Sequence, residues 1–121
     1  MSKANLKAAF GRILSDHTLS LSQAGEAMLK ALQENGDAVS DLTASYRVIA
    51  KDTGLSFAFR VTAGLAKALP EDAPADVTVT GKEQHLTALL RGEIQPLPAV
   101  LTGKIKVKGD MAKLTRFAEF L

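Results

Sequence analysis

The sequence predicts an α+β fold, a single mainly antiparallel sheet of about five strands covered by helices. Three observations carry that expectation. Helical apolar spacing fills residues 2–34, period-two alternation takes over at residue 46, and the last third returns strand, helix, strand and helix. The 121 residues suit one domain over 1–121, with one core.

Leu6, Phe10, Ile13 and Leu14 stand at i, i+4, i+7 and i+8, one face of an amphipathic helix. A second helix opens on a Ser20–Gln23 capping box and repeats Leu21, Ala24, Met28 and Leu32. It stops at Asn35-Gly36. Tyr46, Val48 and Ala50 then alternate against Arg47, Ile49 and Lys51, and Leu55, Phe57, Phe59 and Val61 alternate against polar or small neighbours. Asp52-Thr53-Gly54 between them predicts an antiparallel hairpin, because Gly supplies positive φ cheaply. Ala63-Gly64 is a turn, and Leu65–Leu69 fits a third strand or a helical turn equally well. Residues 70–74, PEDAP, form a loop.

Val77 and Val79 alternate against Thr78 and Thr80 in a further strand. Thr80 and Glu83 have capping-box spacing for a helix with Leu86, Leu89 and Leu90 on its apolar face, closed by Gly92. Residues 94–101, IQPLPAVL, are largely apolar yet carry two prolines, which predicts an irregular loop. Loops are normally polar and superficial, so this one either caps the core or lines a cavity. Lys104–Lys108 is a strand with Ile105 and Val107 on one face and three lysines on the other. Asp110 caps a final helix whose stripe is Met111, Leu114, Phe117, Ala118 and Leu121.

Catalytic chemistry has few candidates. Cysteine is absent, which removes disulfides, thiolate metal sites and a cysteine nucleophile. His17 and His85 lie at no metal-ligand spacing, and the acidic pairs Glu71-Asp72 and Glu34/Asp37 lie in polar loops. Gly103-Lys104 lacks the flanking residues of a phosphate-binding loop. No enzyme, cofactor or metal is expected. A net charge of +2, one Tyr and no Trp argue against nucleic acid as partner. No membrane span or signal peptide stands out, so the expected location is cytoplasmic. Residues 101–121 carry five basic and two acidic residues. The lysines either discourage edge pairing of a strand or offer transient contact with an anionic membrane surface.

Residues 75–121 also resemble the C-terminal half of the sterol carrier protein type 2 domain family. The shared pattern is Ala75-Asp76-x-Thr78-x-Thr80, a helix with Leu86, Ala88, Leu89 and Leu90 ending at Gly92, then Pro96 and Ala99. It continues through Gly103-Lys104-Ile105-Lys106-Val107-x-Gly109 to a helix starting at Asp110-Met111. The N-terminal half departs from the pattern, lacking the tryptophan often seen in the family's central strands.

The resemblance implies a five-stranded sheet with helices around a hydrophobic tunnel, and a bacterial-type stand-alone carrier of lipids, fatty acyl chains or sterol-like molecules. It moves residues 94–101 to the tunnel wall. The implied lining is Phe57 and Phe59 from the hairpin, Leu89 and Leu90 from the middle helix, and Ile94, Leu97 and Leu101 from the loop. Ile105 and Val107 complete it from the last strand, with Leu114 and Phe117 from the last helix. A rival expectation is a dimerisation module with Leu114, Phe117 and Leu121 facing a second copy. A third is an accessory factor presenting a lipophilic intermediate, such as a quinone precursor, to partner enzymes.

Overall fold

The computed structural model describes residues 2–70 and 72–121, so Glu71 of the acidic pair lies outside the described residues. The alternating segments become β1 (Ala44–Ala50), β2 (Leu55–Thr62), β3 (Leu65–Ala68), β4 (Val77–Gly81) and β5 (Ile105–Gly109). They form one sheet in the order β3-β2-β1-β4-β5. Its pairings are antiparallel except for the parallel seam between β1 and β4. The seam arises because the chain leaves the sheet at the edge strand β3 and re-enters it beyond β2 and β1, as β4. The guanidinium of Arg47, on the outer sheet face, donates to the Ala73 carbonyl and ties down that crossing.

Register sets which side chains share a face. Tyr46 opposes Phe59 and Val77, and Val48 opposes Phe57 and Val79. The inner face is therefore a continuous apolar floor. Leu65–Ala68 is a strand, which resolves the open choice there: Ala63 (φ 51°) and Gly64 (φ 79°) make a two-residue hairpin turn with both central residues left-handed.

The helices are α1 (Ser2–Leu14), α2 (Leu21–Glu34), α3 (Glu83–Leu90), α4 (Pro96–Leu101) and α5 (Met111–Ala118). A short 3₁₀ turn, Gly36–Val39, follows α2 and buries Val39. The Ser20–Gln23 capping box is complete: the Gln23 amide donates to Ser20 Oγ at 3.1 Å, and the Ser20 amide donates to Gln23 Oε1 at 2.9 Å. On α5, Asp110 Oδ1 accepts from the Ala112 and Lys113 amides. Gln33 Nε2 of α2 donates to the Ala66 carbonyl at 3.0 Å, fastening the helix over β3.

Two local expectations fail for identifiable reasons. Thr80 does not cap a helix, because it is held in the ladder opposite Ile49 and Lys106. The first turn of α3 is capped from elsewhere, by Asp52 Oδ1 accepting from the Glu83 amide at 3.0 Å. Residues 96–101 form a helix, not an irregular loop. Pro96 and Pro98 occupy its first and third positions, where backbone N–H groups have no intrahelical acceptor to lose. Among the described residues, no helix is long and apolar enough to cross a membrane.

Candidate ligand cavity

An apolar cavity lies between the inner sheet face and α2, α3 and α5. Met28, Leu29 and Leu32 line it from α2, and Val48, Phe57, Phe59 and Val79 from the sheet. Leu86, Leu89 and Leu90 close it from α3, and Leu114 and Phe117 from α5. Each arrives by periodicity: residues three or four apart share a helix face, and residues two apart share a strand face.

Gly25, inside α2, is also part of the wall. A Cβ there would stand 3.0 Å from Cζ of Phe57, so the missing side chain lets that ring lie against the helix backbone. Tyr46 contributes its ring alone, because its hydroxyl donates to the Lys113 carbonyl at 2.7 Å. Burial, with the charge of Asp76 as a lesser cause, pushes that phenol far above its ordinary range. It stays neutral and its only donor is already engaged. No lining residue carries an ionic charge.

The far end is aromatic. Phe117 has its ring centroid 5.1 Å from Tyr46, 5.6 Å from Phe59, 6.0 Å from Phe10 and 6.4 Å from Phe120. Such tilted and edge contacts add about 0.5–1.5 kcal/mol each beyond area burial. Phe120 is 1% exposed and was missed by the helical stripe, which pointed to Leu121. The helix ends at Ala118, so the spacing no longer governs the last residues.

The free volume is about 50 Å³. Ligand pockets for small molecules start near about 300 Å³, so the space between these side chains, as it stands, is far smaller than a long apolar ligand needs.

Six of the eleven expected lining residues meet here: Phe57, Phe59, Leu89, Leu90, Leu114 and Phe117. Ile94 packs against the core without reaching the cavity. Ile105 is buried beside Gly81, and Val107 is half-buried on the edge strand; neither lines it. Leu97 and Leu101 point outward, 58% and 78% exposed. Because residues 96–101 are helical, Pro96 and Ala99 turn inward and those leucines turn out. Of the three residues expected to face a second copy, Leu114 and Phe117 are buried in the chain's own core and Leu121 is half-buried. The further wall residues Met28, Leu29, Leu32, Tyr46, Val48, Val79 and Leu86 mostly sit on faces that the periodicity marks as apolar. Gly25 had a signal too, since a glycine inside a helix usually has a packing reason.

A family model described as the SCP-2 sterol transfer family matches residues 25–121. Stomatin-like protein 1 of Homo sapiens is 36% identical over 95 residues, covering 72% of this chain and 24% of that protein. The chain thus spans about a quarter or less of the curated relatives it matches. Among solved structures, the sec-alkylsulfatase Pisa1 from Pseudomonas sp. superposes with a TM-score of 0.69 at 20% identity, over 81% of this chain and 16% of that one. A ubiquinone synthesis protein, UbiJ-SCP2, gives 0.63 at 23% identity, over 83% and 88%. Palmitated SCP2L2 from Aedes aegypti gives 0.54 at 19% identity, over 84% and 93%. These likenesses establish the fold.

Proposed function

The chain belongs to the SCP-2 sterol transfer family, and on that premise we propose that it is a non-enzymatic carrier that holds one long apolar chain between its sheet and its helices. The observation that carries this is the cavity wall, apolar throughout and without an ionic group. An acyl chain there would gain about 0.8 kcal/mol for each methylene removed from water. The wall offers nothing for general acid or base work, since Tyr46 has its hydroxyl engaged.

Entry requires the cavity to grow severalfold. Phe57 against Gly25, and the Phe117 ring against Tyr46 and Phe59, are the side chains that would move, with α5 as the mobile gate. A palmitated relative of the same fold supports a fatty acyl ligand. The ubiquinone synthesis protein among the neighbours supports a second version, in which the carried molecule is a quinone precursor shown to a partner enzyme. Both versions need transient contact with a membrane or another source of lipid.

Native mass spectrometry with lipid extraction, together with displacement of a fluorescent fatty acid, decides the matter. A one-to-one apolar adduct and saturable displacement are expected. Protein that carries no lipid and fails to displace the probe rules out carriage.

A further inference from the structure

We propose that the edge formed by α4 and β5 docks onto an anionic phospholipid bilayer, with Leu97 and Leu101 entering the interface and Lys51, Lys104 and Lys106 at the phosphates. Only three large hydrophobic side chains are prominently exposed among the described residues, Leu65, Leu97 and Leu101. Two of them stand four residues apart on α4 and so share one face. Leu65 is far along the sheet, on the opposite edge strand.

The leucines do not stand alone. An open groove beside α4 is bordered by Val100, Ile105 and Val107 together with Lys51, Lys104 and Lys106, and it has no carboxylate in its lining. Lys108 continues the exposed cationic row along β5. Apolar side chains flanked by cations are what a headgroup layer accepts: the leucines reach the acyl boundary and the lysines stay at the phosphates.

Charge selects the bilayer over the other occupants. A second copy docking edge to edge would bring Lys104 and Lys106 against their own counterparts, and like charges there repel. A stable protein interface is poor in charge at its centre, whereas here the exposed leucines stand beside a row of lysines. Docking adds to the carrier reading a place where lipid is exchanged, but it is measured separately from carriage.

The test is sedimentation with phosphatidylcholine vesicles, with and without phosphatidylserine. Wild-type protein is expected to bind the phosphatidylserine vesicles selectively and to lose them at high salt. Replacing Lys104→Gln and Lys106→Gln should weaken binding about fivefold per lysine. Leu97→Ser with Leu101→Ser should weaken it about tenfold or more, leaving the thermal melt and fatty-acid displacement in vesicle-free buffer unchanged. Because the chain has no Trp, Leu97→Trp gives a unique fluorophore whose emission should shift to the blue only when phosphatidylserine vesicles are added.

Absence of vesicle binding by wild-type protein overturns docking, as does binding that survives both double variants. A dimer in light scattering that the serine variants dissociate, with tryptophan emission already blue without lipid, overturns it in favour of self-association. Vesicle binding without fatty-acid displacement upholds docking and removes carriage instead.

Discussion

Helices α4 and α5 flank the same strand and have opposite fates. The first, PLPAVL, is wholly apolar, yet Leu97 and Leu101 face solvent. The second, MAKLTRFA, has three polar residues in eight, yet Leu114 and Phe117 are buried at the centre of the fold. Apolar content therefore does not decide burial here; phase does. In α5 the large side chains fall on one face, and in α4 the small Ala99 and Pro96 take the inward positions. The two also differ in how they are held. The first turn of α5 is capped by Asp110, its Lys113 carbonyl accepts from Tyr46, and Lys113 Nζ stands 3.1 Å from Asp76. No side chain caps the start of α4, and only at its end does Thr102 Oγ1 donate to the Pro98 carbonyl, at 2.9 Å.

Substitutions can break or sharpen this contrast. The largest effect is expected from Phe117→Ala, which removes the ring shared by four aromatic neighbours and should cost about 3–5 kcal/mol in denaturant melts. Leu101→Ala should stay within about 0.5 kcal/mol, since the side chain is exposed. Equal costs at the two sites would abolish the distinction.

Next come the caps. Asp110→Ala should cost about 1 kcal/mol, because two amides lose their acceptor. Gln95→Ala, at the start of α4, should cost almost nothing, as its side chain accepts no capping bond. A smaller, pH-dependent effect is expected at Asp76. The Ser45 amide foremost, then the Lys113 ammonium, hold its carboxyl below the usual range. A depressed folded pKa means that the stabilisation is present above about pH 4, the unfolded value, and is lost as pH falls through the folded one. Solvent reaches this group, 44% exposed, so the effect is modest. Asp76→Asn should flatten the acid limb of a stability-against-pH curve while leaving its neutral-to-basic limb parallel to wild type. An acid limb as steep as wild type would show that the contacts of this carboxylate with Ser45 and Lys113 add no stability.

Much of the frame was legible in the residues. Alternation at Tyr46–Ala50 and Leu55–Val61 placed the hairpin, and Ser20–Gln23 and Asp110 marked two helix starts, because each signal acts over a few residues. The Thr80–Glu83 spacing misled because a strand ladder outcompetes a side-chain cap, and nothing local shows that Thr80 has partners on both sides. Prolines 96 and 98 predict a break in any helix, but prolines in a first turn sacrifice no hydrogen bond.

By itself the sequence determined periodicity, and with it the inward faces of β1, β2, β4 and β5 and of the longer helices. Those choices depend on neighbours two to four residues apart. Tertiary structure alone decided which inward faces meet. Phe57 closes on Gly25 and Phe117 on Tyr46 across separations that no local spacing encodes. It also decided that the cavity is small, since free volume is what remains after side chains from three helices and three strands have packed, and that the apolar surface expected to line it lies partly on the outside.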